Sequence, residues 1–251
     1  MIRLFVLYIL FFVNSLGFSP QRNDGLNSRI IGGDIADITA YPYQVSVMYA
    51  LHHVCGGSVI SQEWVVTAAS CVSEPSGYAV RAGTDTLEAG GTVHTVVEII
   101  KHPDYVIYDY DVAVLRVAEP FVYGSTIMAV RLSITEPFPG TIAVVTGWGR
   151  NSSEGELSPQ LLEVMLPVYD HQQCNDIYHN SGGITINMIC AGVDEGGKDF
   201  CIGDYGAPLV IAGQLVGVAS WTVGCGAPGL PGVYASIPHL HEFVTNATGI
   251  F

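Results

Sequence analysis

Positive charge is scarce in this sequence: nine Lys and Arg stand against 23 Asp and Glu in 251 residues, a formal net charge of −14. That balance excludes partners that need a basic patch, namely nucleic acid, heparin-like sugars and anionic lipid surfaces. Long apolar runs are also missing beyond the N-terminus, so no membrane span is predicted. There is no internal repeat, no low-complexity segment and no linker dividing the chain after Ile30. Metal-ligand spacing is lacking too. His52 and His53 are adjacent on a strand and point to opposite faces. His239 and His241 are two apart on a predicted helix and do not share a face. No metal and no cofactor are expected. What remains is a chain that is 49% hydrophobic and only 13% charged, far too apolar for a disordered acidic tail. Its length allows one or two domains with an ample core.

The N-terminus reads as a signal peptide over residues 1–17: Arg3, an apolar run from Leu4 to Val13, then Ser15, Leu16 and Gly17. Residues 18–29 are polar and rich in turn formers, a short propeptide that ends on Arg29 ahead of Ile30-Ile31-Gly32-Gly33. Processing after Arg29 is expected. The remaining domain, 30–251, keeps six basic residues against 22 acidic ones, a net of −16. The six Cys are an even count, which suits three disulfides in a secreted chain, although parity leaves the pairing open. Asn151-Ser-Ser and Asn246-Ala-Thr are glycosylation acceptors.

Short runs rich in Val, Ile, Thr and Tyr recur between Gly, Pro and Asp punctuation. They include 43–50, 63–69, 78–82, 93–100, 112–117, 142–147, 161–168, 209–211 and 214–220. Such runs predict an all-β unit of antiparallel strands, with two packed barrels fitting the count. Pro238 followed by 239–245 predicts a short C-terminal helix with Pro in its first turn, and a helical turn is expected near 170–178.

In order along the chain stand Ile30-Ile-Gly-Gly33, Cys55-Gly-Gly-Ser58, Thr67-Ala-Ala-Ser-Cys71, Asp111-Val-Ala-Val-Leu115, Gly147-Trp-Gly149, Cys201-Ile-Gly-Asp-Tyr-Gly-Ala-Pro208, Ser220-Trp221 and Pro231-Gly-Val-Tyr234. With these motifs the chain resembles a trypsin/chymotrypsin-family serine protease domain over essentially all of 30–251. The resemblance implies two six-stranded antiparallel β-barrels with a cleft between them. It also implies the disulfides Cys55–Cys71, Cys174–Cys190 and Cys201–Cys225.

The family's chemistry needs a nucleophilic Ser, a His base and a buried Asp that orients the His. The resemblance places Ser70 where the His belongs and Tyr205 where the Ser belongs; only Asp111 remains. Losing the nucleophile or the base costs on the order of 10⁶ in turnover. A buried Asp111 without its partner should protonate or find other donors, with Ser220 a candidate. Asp199 matches the acidic floor of a pocket selective for Lys or Arg. Phe200 and Thr222 replace small residues there, while Gly232 is retained, so the pocket is expected to be filled and Asp199 satisfied by waters or backbone donors. Ser46, His53 and Asp204 match a precursor-state latch in which the Asp is held by the His and Ser. Arg29, Ile30 and Asp204 match the activation pair formed after cleavage.

These readings predict a secreted, extracellular, monomeric protein, not an enzyme, that acts by binding. Its partner would be a protein: a protease, a protease inhibitor or an immune-cascade component. The role would be regulator, cofactor or decoy in a protease cascade, in an immune, complement, venom or saliva setting. The alternative is a trypsin-like endopeptidase relative with residual or altered hydrolysis. Tyr105, Tyr108, Tyr110, Tyr123 and Tyr178 are loop-flanking aromatics that could anchor a partner or simply be half-exposed at strand edges.

Overall fold

A computed structural model describes residues 31–152 and 154–250. The signal peptide, the propeptide and the processing site at Arg29 and Ile30 lie outside the described residues. After a two-residue strand β1 (Asp34–Ile35), six strands close a barrel: β2 (Gln44–Tyr49), β3 (His52–Val59), β4 (Trp64–Thr67), β5 (Tyr78–Ala82), β6 (Thr92–Lys101) and β7 (Ala113–Val117). Their order around the barrel is β2-β3-β4-β7-β6-β5. The inward residues are mostly β-branched, with Val45, Val47, Val65 and Val80 fully buried beside Leu115. β3 carries weaker strand signals because of Gly56 and Gly57. The barrel needs them: a Cβ on Gly57 would sit 3.1 Å from Val45 and Val65, and one on Gly56 would meet the Ala207 backbone at 2.8 Å.

The second half contains β8 (Arg131–Leu132), β9 (Ile142–Gly147), β10 (Leu162–Pro167), helix α1 (His171–Tyr178), β11 (Met188–Ala191), β12 (Pro208–Ile211), β13 (Gln214–Trp221), β14 (Gly232–Ser236) and helix α2 (Ile237–Thr248). The sheet runs β1-β10-β9-β12-β13-β14-β11, with β8 added parallel to β13. It differs from the expected six-stranded closed barrel in being an open path. Six strands form its body, and among the described residues its ends meet through the Val168–Ala191 bridge. Pro167, which ends β10, has no N–H to donate, so the ladder cannot run on regularly there.

α2 packs Ile237, Leu240 and Val244 into a core shared by both halves, and Pro238 lies in its first turn as predicted. Asp170 caps α1 by accepting from the Gln173 N–H at 3.1 Å. Three disulfides join Cys55–Cys71, Cys174–Cys190 and Cys201–Cys225, the pairs implied by the resemblance. Among the described residues no helix is long and apolar enough to cross a membrane, and no group of three or more His, Cys, Asp or Glu could hold a metal ion.

Candidate functional site

The two halves meet where the loop before β12 crosses the ends of β3 and β4. The Gly56 N–H donates to the Tyr205 carbonyl at 2.8 Å. Gly206, at φ +80°, passes so close that a Cβ would lie 2.2 Å from Thr67 Oγ1. This approach brings Tyr205 beside the turn that holds Ser70.

Asp111 is 3% exposed and accepts three hydrogen bonds. The Ser70 N–H reaches Oδ1 at 2.7 Å, the Ser70 hydroxyl reaches Oδ2 at 2.9 Å, and the Ser220 hydroxyl reaches Oδ2 at 2.7 Å. Burial nevertheless pushes the Asp111 carboxyl above its ordinary range, against the pull of those donors. Ser70 is therefore spent as a donor to Asp111, and a serine hydroxyl has no capacity to take a proton near neutral pH. Replacing it tests this network. Ser70→Ala leaves Asp111 short of one donor and should cost about 1–3 kcal/mol at neutral pH, less in acid where Asp111 is neutral. Urea unfolding at two pH values reads the difference.

Tyr205 is half-buried against the cores of both halves, edge-on to Phe200 at 6.1 Å. Burial raises its phenol, with Asp199, Asp204 and Tyr108 adding to the rise. Phe200 is fully buried and also edge-on to Tyr234 at 5.0 Å. Asp199, 1% exposed, is satisfied within the protein. Thr222 Oγ1 donates to it at 2.6 Å, the Gly226 N–H at 3.0 Å and the Phe200 N–H at 2.9 Å. Burial lifts its carboxyl to about 6. Gly232 forms the facing wall, where a Cβ would lie 2.4 Å from Asp199 Oδ1 and 2.6 Å from the Phe200 ring. The side chain of Phe200 thus fills space against that wall, and Thr222 caps the carboxylate.

Asp204 is fully buried in a cradle the sequence reading missed. The Gly149 N–H donates at 2.7 Å and the Cys201 N–H at 3.1 Å. A Cβ on either Gly147 or Gly149 would lie 2.1 Å from an Asp204 oxygen. The Gly147-Trp-Gly149 motif was visible, but not that its glycines make room for a carboxylate fifty residues on. Burial raises Asp204 to about 7. His53 does not hold this carboxylate, which corrects the latch expected from Ser46, His53 and Asp204. Its Nε2 bonds the Gly203 carbonyl at 2.9 Å and its Nδ1 bonds Ser46 Oγ at 2.7 Å. Both bonds are satisfied by one neutral tautomer, Nε2–H with Ser46 donating to Nδ1, and burial lowers the ring's pKa. The physical reason is placement: the Gly149 and Cys201 N–H groups hold the Asp204 carboxylate on their side, in room that Gly147 and Gly149 leave free, and His53 bonds the Gly203 carbonyl instead.

Among the loop aromatics, Tyr178 is not a surface anchor. It is 2% exposed, and its hydroxyl donates to the Pro231 carbonyl at 2.5 Å. Tyr105 lies under the Lys101 ammonium and Tyr110 stacks on His102. Tyr123 is 41% exposed. Tyr108, 61% exposed and at φ +76°, packs its ring on Trp221 at 5.5 Å. Asn151 and Asn246 are both exposed, the latter on α2.

A two-part β fold with a buried Asp at the junction, hydrogen-bonded by Ser220, belongs to the serine-protease class of architecture. Residues 30–244 match the family described as Trypsin. A trypsin of Simulium vittatum is 43% identical over 219 residues, covering 83% of this chain and 89% of that protein. A vitellin-degrading protease of Bombyx mori is 40% identical, covering 90% and 88%. The structure of mouse neuropsin, a serine protease expressed in the limbic system, aligns with a TM-score of 0.80 at 30% identity, covering 86% of this chain and 98% of that one. The chain belongs to the trypsin family.

Proposed function

We propose that this chain is a secreted, catalytically inactive trypsin relative that acts by binding a protein partner. One observation carries the reading: Asp111, the one triad residue retained, is occupied by the hydroxyls of Ser70 and Ser220 rather than by an imidazole. Tyr205 supports it. Its phenol is pushed further from titration at neutral pH, and it wedges between the two halves at the nucleophile's position. The covered state of Asp199 supports a cleft that does not take a Lys or Arg side chain. The disulfides support an extracellular setting.

A sensitive panel of peptide and ester substrates on chain cleaved after Arg29 tests the reading. Turnover at buffer background is expected. Turnover that disappears in Tyr205→Phe would replace the binding reading with altered hydrolysis. The domain from Ile30 onward also offers trypsin few cutting sites, only six Lys and Arg, of which Arg131 and Lys198 are the exposed ones. Incubated with active trypsin, the domain should persist after release of the propeptide 18–29, as a regulator or decoy among proteases must. Gel electrophoresis over time checks this, and rapid fragmentation would count against such a role.

A further inference from the structure

Two adjoining cavities open beside the N-terminus of α1. One, about 410 Å³, is walled by Pro137, Val168, Ile186, Met188 and Ile189. The other, about 310 Å³, extends to Asp194 and Glu195. Pro139, Val168, Tyr169 and Asp170 line both. None of these residues belongs to the constellations around Asp111, Asp199 or Asp204. The size and apolar walls suit a ligand rather than a surface wrinkle.

The charge of the groove has one sign. Glu136, Asp170, Asp194 and Glu195 line the pair of cavities, and no Lys or Arg does among the described residues. The two histidines present are already engaged, His171 with the Thr185 carbonyl at 3.0 Å and His239 with Glu136 at 3.0 Å. The carboxylates keep acceptor capacity. Asp170 spends Oδ1 on its cap, Asp194 spends Oδ1 on the Tyr169 hydroxyl, and Glu136 takes both Ser236 and His239 on Oε1. A carboxylate has about four lone-pair sites, so each retains room for a cation. Apolar side chains stand exposed at the mouth, Ile186 at 62% and, on the flanking loop, Phe138 at 81%.

We propose that this groove binds a short basic segment of a partner protein. A Lys or Arg side chain would lie among Asp170, Asp194 and Glu195, and a neighbouring apolar side chain would enter the cavity lined by Met188 and Ile186. Two cavities share one wall; apolar side chains from Ile186, Met188 and Ile189 line the first, and Asp194 and Glu195 are added in the second, so together they ask for an apolar and a basic group at a fixed spacing, which a peptide supplies. The net charge of −16 from Ile30 onward steers the same partner toward the domain. The site goes beyond the cleft and stands whether or not the cleft hydrolyses anything.

The test is an NMR titration of the full chain with acetyl-Leu-Arg-Leu-Lys-amide. Saturable shifts should gather at the amides of Tyr169, Ile186 and Met188 and weaken with added salt. Asp194→Asn with Glu195→Gln should weaken binding by at least about tenfold. Asp194 also holds Tyr169, so Ile186→Lys, which breaks no bond and sets a cation at the mouth, is the second variant and should weaken binding likewise. The matched acetyl-Leu-Glu-Leu-Glu-amide should not bind. No saturable shift, shifts centred elsewhere, or unchanged affinity in Ile186→Lys would each overturn the proposal. So would equally tight binding of tyramine alone, which would assign the groove to a small amine.

Discussion

Neither Ser70→His nor Tyr205→Ser alone should raise hydrolysis above background, whereas the two together should raise it by about 10³-fold or more on small esters. Nucleophile, base and orienting carboxylate act as a unit. Removing one costs nearly as much as removing all, on the order of 10⁶ in turnover, so restoring one regains almost nothing. The scaffold favours the double variant. Asp111 is already fixed by Ser220 at 2.7 Å, and the turn that carries residue 70 is tied to it through the backbone N–H at 2.7 Å. A His at that position would be anchored at its backbone within reach of the carboxylate that must orient it. Lys and Arg substrates should remain poor until Phe200→Ser and Thr222→Gly are added, because Asp199 is otherwise capped and its facing wall filled. Steady-state rates on ester and Arg-amide substrates, after cleavage at Arg29, check both steps. Tyr205→Ser removes a half-buried ring packed against both cores, at a cost of about 1–3 kcal/mol, so the thermal midpoint of each variant must be followed beside its rate. Appreciable turnover by the unaltered chain would sink the argument, as would a fully folded double variant at background.

Much of this site was legible because it is encoded locally. Thr67-Ala-Ala-Ser-Cys71 and Cys201-Ile-Gly-Asp-Tyr-Gly-Ala-Pro208 carry their substitutions in the motif itself, so Ser70 and Tyr205 could be placed by position. Asp111 and Ser220 follow in the same way, and their bond appears in the structure as expected. What could not be read depends on distances between segments far apart in sequence. Asp204 meets Gly147 and Gly149 only after β9 and the Cys201 loop pack together, and that packing decides that His53 faces a carbonyl instead of a carboxylate. Tyr178 looked like an edge tyrosine because the composition around it is polar, yet α1 turns it inward beneath Trp221 at 4.8 Å. Strand spacing foretold two barrels, but not that a proline at the end of β10 leaves the second joined by a single bridge.

The uncleaved chain should be more stable at pH 5 than at pH 8, and Asp204→Asn should remove much of that difference. Asp204 is raised from 3.8 to about 7 and Asp199 from 3.8 to about 6, in both cases chiefly by burial. A carboxyl whose folded value lies above its unfolded value binds more protons when folded throughout the interval between them. Stability from such a group is complete below about pH 4 and is lost as pH rises through the folded value. For Asp204 the rise corresponds to roughly 4 kcal/mol between those limits. His53 works in the opposite sense, because its folded value is depressed: its contribution grows as pH rises toward about 6.5. Comparing wild type with Asp204→Asn cancels His53 to first order and leaves the Asp204 contribution, together with its coupling to Asp199, as the difference curve. Cleavage after Arg29 should then change that curve. The freed Ile30 ammonium, paired with Asp204 as the family resemblance implies, favours the ionised carboxylate and draws its titration down. The fall in stability between pH 5 and 8 should flatten in the cleaved chain, and stability at pH 8 should rise. Chemical denaturation of both forms across that range reads the result. A difference curve unaltered by cleavage would mean that the new N-terminus does not reach Asp204.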